Sequence, residues 1–334
     1  MPVAPRLTIA IPTVNRAALL VRAIDSALAQ TAQGIEVIVS DNGSSDDTPA
    51  VIARYADRRL RTFRRATTVS AAEHGNFLLQ QARGEFFLGL SDDDFLEPEF
   101  AAEVLGFIDR HPGVAFVYTG CAVHYDECAV PAAVGPELES GAAFLAGHYA
   151  GRREVIWCAC VTRLADLRSL GPLPADCIIG DMYLWTRLAF RGPVGCVPRV
   201  LSNYVLLRTV NDNISHGTSP QAWAHEQRRL ADQVLESSRR AGAEEPYLAR
   251  LQADIARHIA RSTANQFVWI RLRGATRRQV WRQLRPCRPY LSWYPLARAR
   301  VAAALLLPRW VLSRLLRRMA LSLARSRAVT TAVG

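Results

Sequence analysis

A chain of 334 residues, half of them hydrophobic and 21% charged, has the composition of a globular protein with a large core, which excludes a disordered chain and leaves room for one large domain with an appendage or for two medium ones. The formal charge of +11 is unevenly placed: residues 271–334 hold 15 Arg and no Asp or Glu, and taking those 15 from +11 leaves −4 for residues 1–270. An anionic partner is therefore expected at the basic end and not on the main domain.

The first hundred residues alternate strand and helix signals with short connections. Residues 7–11 are β-rich and ended by Pro12, and residues 17–30 place Leu20, Ile24, Ala27 and Leu28 at helical spacing. Residues 35–40 form a second apolar strand that runs into Asp41-Asn42-Gly43-Ser44-Ser45-Asp46-Asp47, turn formers that end at capping residues for a helix over 48–55. A short strand is expected over 60–65, a helix over 71–83 closed by Gly84, and a strand over 85–90 that leads straight into Ser91-Asp92-Asp93-Asp94. Strands that follow one another through helices predict a mostly parallel sheet with helices on both faces and a ligand crevice at the carboxyl ends of the strands. Both acidic clusters fall at such ends.

Further along, the pattern predicts a helix from Pro98 to about Arg110, a strand over 114–119, irregular chain with at most one short helix over 121–151, a strand over 154–161, a helix over 181–190 and one or two strands over 194–208. Beyond Ser219 the spacing is helical. Residues 222–241 and 247–272 are long amphipathic segments, and the Arg-rich tail after them has breaks expected at Pro286, Pro289, Pro295 and Pro308. The chain thus divides into residues 1–217, a helical extension over 218–274 and basic helices over 275–334. Seven cysteines show no paired framework and no secretory signal precedes them, so buried thiols in a reducing compartment are expected. The longest apolar runs fall far short of the ~20 residues that span a bilayer, and no transmembrane helix is expected.

Two clusters carry chemistry. Asp41, followed by Asn42, Ser44 and Asp46, presents acceptors suited to a base N–H and to ribose hydroxyls, although a capped turn accounts for the same residues. In Ser91-Asp92-Asp93-Asp94 the three carboxylates repel one another, and placing them directly after the apolar run 86–90 is costly unless a cation or a set of donors compensates. Hard oxygen ligands of this kind suit Mg²⁺ or Mn²⁺, with substrate phosphates completing the shell. An Asp-rich cap before Pro98 is the plainer alternative.

The runs LTIAIPTVNRAALLVRAIDSAL, IEVIVSDNGSSDDT and GNFLLQQARGEFFLGLSDDDFLEPEF resemble the family 2 glycosyltransferases in content, order and spacing, closely over residues 6–120 and more loosely to about 217. The resemblance implies a GT-A Rossmann-like α/β fold and an inverting transfer from a nucleoside diphosphate sugar. It assigns Pro12, Thr13, Asn15, Arg16, Asp41, Asn42, Ser44, Asn76, Asp92 and Arg208 to the donor. Counting back from Pro98 puts the family's first Asp at Ser91, a departure, and its second at Asp93, which becomes the ligand of a divalent cation. Asp92 is left with the ribose or a supporting position. The general base of the family opens a helix with an Arg-Leu-Ala ending, which here is Gly180-Asp181 leading to Arg187-Leu188-Ala189 and Gly192, and implies Asp181. His216, in a loop with Asn211 to Ser215, is implied as a metal ligand or a phosphate contact. A finer likeness is to abequosyltransferase-like members that build O-antigen side branches.

In the tail, Trp310, Val311, Leu312, Leu315, Leu316, Met319, Ala320 and Leu323 mark an apolar stripe, with Arg314, Arg317, Arg318 and Arg325 largely beside or opposite it. A helix of that kind lies on an anionic membrane surface, which places the protein at the inner face of the cytoplasmic membrane beside a lipid-linked glycan acceptor. The alternative is an ordinary helix packed on the protein with a solvated basic face. Two other classes compete for the whole chain. A dehydrogenase or nucleotidyltransferase on a doubly wound sheet would share the strand pattern, but the first β-α turn, Pro12-Thr13-Val14-Asn15-Arg16, holds no glycine for close approach of a pyrophosphate. A nucleic-acid binder would use Trp269, Trp281, Trp293, Tyr294 and Trp310 among the arginines, a mixture that a membrane-surface helix also shows, and no nucleic acid is expected.

Overall fold

The computed structural model describes residues 4–125, 128–206, 218–291 and 294–315. These form two compact units, one of residues 1–123, 131–144 and 154–205 and one of residues 124–130, 145–153 and 206–334.

The first unit is built on a sheet. Its parallel half holds β1 (Leu7–Thr13), β2 (Ile35–Asp41), β3 (Leu60–Arg64) and β4 (Phe86–Gly89), in the order β3-β2-β1-β4. All of β2 and β4 and all but one residue of β1 are buried, which is why these strands read as mostly apolar runs and not as alternating ones, and two polar residues inside them, Thr8 and Glu36, hydrogen-bond to each other. The connecting helices are α1 (Ala17–Leu28), α2 (Thr48–Ile52) and α3 (Ala71–Gln81), and α1 buries Leu20, Ala23, Ile24 and Ala27. Strands β2 and β3 lie to one side of β1 and β4 to the other. The chain therefore reverses its direction of growth between β1 and β4, and such a switch point opens a crevice at the carboxyl ends of the strands. Pro12 lies past the last β1–β4 pair, Ala10 with Gly89, where the ladder on that side has ended and the missing N–H costs nothing.

The other half of the sheet is antiparallel. It contains β5 (Phe95–Leu96), β6 (Phe116–Tyr125), β9 (Cys160–Arg163) and β10 (Val194–Leu206), and the sheet order continues β4-β9-β6-β10-β5. Two short strands, β7 (Cys128–Pro131) and β8 (Leu138–Glu139), and the helices α4 (Phe100–Arg110), α5 (Gly141–Tyr149), α6 (Leu164–Ser169) and α7 (Gly180–Leu188) complete the elements before residue 206. Three expectations change here. The strand expected to end at 119 runs on to Tyr125, and the 121–151 stretch holds two short strands besides its helix. The strand expected over 154–161 is a 3-10 turn, Trp157–Ala159, followed by β9. The cause is Trp157, whose ring packs so tightly on Gly89 that a Cβ there would lie 2.1 Å from it. Gly192 has a similar reason, since a Cβ would meet the Gly113 carbonyl at 2.8 Å.

The second unit is helical, with α8 (Pro220–Arg240), α9 (Glu245–Leu272), α10 (Arg277–Leu291) and α11 (Pro295–Leu306). Helix α8 starts where expected: the Ser219 hydroxyl accepts the Ala222 N–H at 3.2 Å, Pro220 opens the first turn, and Arg239 and Arg240 face the negative end of the helix dipole. Ala260, Ala264, Phe267 and Val268 of α9 form one apolar cluster with Val280, Cys287, Leu291, Ala297, Val301, Ala304 and Leu312. That packing holds α10 together through Pro286 and Pro289, where a break was expected. The breaks at Pro295 and Pro308 do occur, since Pro295 starts α11 and Pro308 follows its end. Leu312 of the expected apolar stripe is buried in this cluster, whereas Trp310 and Leu315 are exposed. Residues 316–334, with Leu316, Met319, Ala320 and Leu323 of the stripe, lie outside the described residues. No helix among the described residues is long and apolar enough to cross a membrane.

Candidate active site

The register of β1 with β2 sets Thr13 beside Asp41, so the two loops that follow start side by side. Asp41 is buried, its Oδ1 accepts the Ser44 N–H at 2.9 Å, and its Oδ2 lies 3.3 Å from Arg64 Nε. The Asn42 N–H donates to the Thr13 carbonyl, and the Asn42 side chain both donates to and accepts from the backbone of Val69. Asp46 caps two helices at once, accepting the N–H groups of Ala17 and Thr48. The capped turn is therefore real, and Asp41 sits at its base with little exposure. Behind it, His74 on α3 meets the Ser40 hydroxyl at 2.8 Å, and burial, with Arg65 adding to it and Asp41 opposing, pulls its imidazole down to about 4.

The acid loop after β4 is tied to β10 at three points. The Glu97 N–H donates to the Leu201 carbonyl, Asn203 Nδ2 to Glu97 Oε1, and the Val205 N–H to Asp94 Oδ1. Asp92, Asp93 and Asp94 are all buried. Arg16 Nη1 donates to Asp92 Oδ1 at 2.9 Å and to Asp93 Oδ2 at 3.0 Å, and Arg22 Nη2 donates to the Asp93 carbonyl at 2.7 Å. Burial pushes the Asp92 carboxyl up to about 6, against the pull of Arg16 and the Thr13 hydroxyl. Asp94 is raised well above the carboxylate range, first by burial and then by Asp93, with the Val205 N–H acting against it. For Arg16 burial works against the charge, yet the two carboxylates hold the guanidinium above its usual range.

Two hard carboxylate oxygens that converge on one positively charged atom fit a divalent cation, with phosphate oxygens needed to complete its shell. Among the described residues no group of three or more His, Cys, Asp or Glu gathers as a metal site without such help.

Asp181 stands in the first turn of α7, its Oδ1 accepting the Met182 N–H at 2.7 Å, and burial raises its carboxyl against that hydrogen bond. Tyr204 on β10 carries a hydroxyl that burial, then Asp94, Asp93, Cys158 and Asp181, push well up, so it remains a proton donor within electrostatic reach of both the acid loop and Asp181. Asn76 is committed elsewhere: its amide donates to the Leu173 carbonyl and accepts the Leu173 N–H. Arg208 and His216 lie outside the described residues. Arg22 and Tyr204 are additions that no motif in the sequence marks, one being a charge on a helix face and the other a tyrosine in a long strand.

The α/β sheet with its switch-point crevice has the GT-A fold, which it shares with the solved structures it resembles. Residues 8–129 match the model of glycosyl transferase family 2. The chain is 34% identical over 122 residues to a GalNAc(5)-diNAcBac-PP-undecaprenol beta-1,3-glucosyltransferase of Campylobacter jejuni, a match covering 36% of this chain and 39% of that one. It spans about half the length of the curated relatives that match it most widely, at 53%. Among solved structures, S. aureus TarS 1–349 in complex with UDP-GlcNAc has the same fold with a TM-score of 0.63 at 16% identity, covering 94% of this chain and 92% of that one. The mannosyltransferase PcManGT from Pyrobaculum calidifontis, in complex with GDP-Man and Mn²⁺, gives 0.52 at 19% identity, covering 91% and 86%.

Proposed function

We propose that the chain is an inverting glycosyltransferase that moves a sugar from a nucleoside diphosphate donor to a hydroxyl of a lipid-linked glycan in bacterial surface polysaccharide synthesis. The observation that carries this reading is the convergence of the Asp41 loop, Arg16 and the acid loop at the carboxyl ends of β1, β2 and β4. Pro12, Thr13, Asp41 and Asn42 line the base end of the donor, and Asp92 lies toward its ribose. A bound Mn²⁺ or Mg²⁺, held by Asp93 with Asp92 beside it, would offset the negative charge that grows on the leaving diphosphate. The acceptor hydroxyl gives its proton to Asp181 as its oxygen attacks the anomeric carbon from the face opposite the diphosphate. The new C–O bond forms while the bond to the diphosphate oxygen breaks, and the electron pair leaves with the diphosphate. A carboxylate raised by burial is a better base than an exposed one, which suits Asp181 to that proton.

A lipid-linked acceptor is supported by the undecaprenol in the name of the C. jejuni relative, and the O-antigen likeness points to a side-branch sugar. Trp281, Leu296, Leu306, Trp310 and Leu315, exposed among the exposed arginines of α10, α11 and residues 309–315, support contact with an anionic membrane at the inner face of the cytoplasmic membrane. The test is a panel of nucleotide sugars screened by thermal shift with and without Mn²⁺, followed by transfer assays on the donors that bind. One donor class should stabilise the wild type with Mn²⁺, and Asp93→Ala should lose the Mn²⁺-dependent part while remaining folded. A protein that no nucleotide sugar stabilises would refute the reading.

A further inference from the structure

Arg16 occupies a place that the chain strains to create. Asn15, just before it, has φ of 53°, in the left-handed region that favours glycine, and among the described residues it is the single non-glycine residue with positive φ. Hydrogen bonds hold it there: its N–H donates to Ser44 Oγ at 2.8 Å, and its Oδ1 accepts the Ser45 N–H at 2.8 Å. The Arg16 N–H is fastened to Thr48 Oγ1 at 3.2 Å. The backbone of the turn is thus bound to the Asp41 loop, while the Arg16 side chain reaches the acid loop 76 and 77 residues away. There a single guanidinium nitrogen lies between two carboxylates whose side chains are 7% and 6% exposed.

That nitrogen stands where a divalent cation would have to stand to use both carboxylates. Two positive groups that close in a site of low dielectric repel strongly, so guanidinium and cation are alternatives there. Buried carboxylates without any counter-ion are costly, so one of the two must be present. A guanidinium also pairs well with phosphate oxygens, which offers Arg16 a second partner once a donor arrives.

We propose that Arg16 is a positioning residue that serves as the internal counter-ion of the donor-free site, closing Asp92 and Asp93 to a divalent cation until a diphosphate draws the guanidinium away. This rests on the reading of Asp93 as a cation ligand. Cation and diphosphate then enter together, and a cation alone binds weakly.

The test measures Mn²⁺ binding to the full chain without nucleotide, by the paramagnetic signal of free Mn²⁺, and separately the binding of inorganic pyrophosphate without metal. Arg16→Gln should bind Mn²⁺ more tightly than wild type, by roughly tenfold, and pyrophosphate more weakly by a similar factor. Opposite movement of two affinities is not produced by a damaged fold. Arg16→Lys, which keeps the charge, should stay near wild type in Mn²⁺ binding, and Arg16→Met, which keeps the apolar stem, replaces the Gln variant if that one does not fold. Asp93→Asn should remove the tight Mn²⁺ binding that Arg16→Gln creates. Equal and Asp93-dependent Mn²⁺ affinity in wild type and Arg16→Gln overturns the counter-ion role alone. No Mn²⁺ binding by either protein overturns it together with the cation reading of Asp93, and the nucleotide-sugar panel decides the transferase reading independently.

Discussion

At the carboxyl ends of its parallel strands the first unit buries Ser40, Asp41, Asn42, Asp92, Asp93 and Asp94, each 5% exposed or less. The helical unit gathers Ala260, Ala264, Phe267 and Val268 with Val280, Leu291, Val301 and Leu312 in an apolar cluster, Thr263 and Gln266 of α9 are buried along the same stretch of helix, and Arg277, Arg278, Arg282, Arg285 and Arg288 of α10 all lie exposed. Burying carboxylates opposes folding unless each finds a partner, and the first unit supplies Arg16, Arg64 and the Val205 N–H for that purpose. The second unit buries Glu226 and Asp254 as well, but each takes its partner from the next turn of its own helix, Arg229 and Arg257. Polar burial at the strand ends thus draws its partners from distant segments, whereas in the helical unit the buried carboxylates are paired locally and the apolar cluster joins the helices.

The sharpest break of this contrast is Asp181→Asn. It removes one proton acceptor and leaves the donor pocket intact, so turnover should fall by about 10³-fold or more while donor affinity measured by calorimetry is unchanged. Near-normal turnover would move the base elsewhere. In the helical unit the corresponding break is Phe267→Ala, at a fully buried ring, where the loss should be about 3–5 kcal/mol. Chemical denaturation would show it, and nucleotide binding by the folded protein should be preserved. A nucleotide affinity that falls with it would mean that the two kinds of burial are not separable.

His74 gives the first unit a dependence on pH. Its folded value, pulled down to about 4, lies below the ordinary histidine value, so the unfolded chain binds the extra proton first. Its contribution is intact above about pH 6.5 and is lost as pH falls toward 4, amounting to at most about 3 kcal/mol. Denaturation midpoints measured over pH 4 to 7 should fall less steeply for His74→Gln than for wild type, and parallel curves would contradict the assignment. The smallest effect belongs to the basic surface. Arg282→Gln and Arg285→Gln should each weaken binding to anionic vesicles by roughly fivefold, about 1 kcal/mol, without changing stability. Point substitutions are the right test because residues on both sides of position 274 share one apolar cluster, which a truncation would open. Unaltered vesicle binding would leave these arginines a merely solvated face.

Strands β1, β2 and β4 were legible from the residues alone, because strands covered on both faces are mostly apolar, and α1 between the first two shows a buried stripe. The acid loop was legible as residue types for a similar reason: three adjacent carboxylates after a buried strand need a compensating charge wherever they end up. Which charge compensates was not legible. Arg16 reaches Asp92 and Asp93 across more than seventy residues, and Asp94 takes its N–H from Val205, 111 residues away, through a pairing that no local pattern encodes. The continuation of β6 to Tyr125, the turn at Trp157 and the helix through Pro286 and Pro289 have the same origin. Local propensity is worth a few tenths to about 3 kcal/mol per residue, and strand pairing, a ring seated on Gly89 or a shared apolar cluster outweighs it. Periodicity and charge spacing belong to the chain in isolation, whereas the partner of each buried charge exists only once distant segments have met.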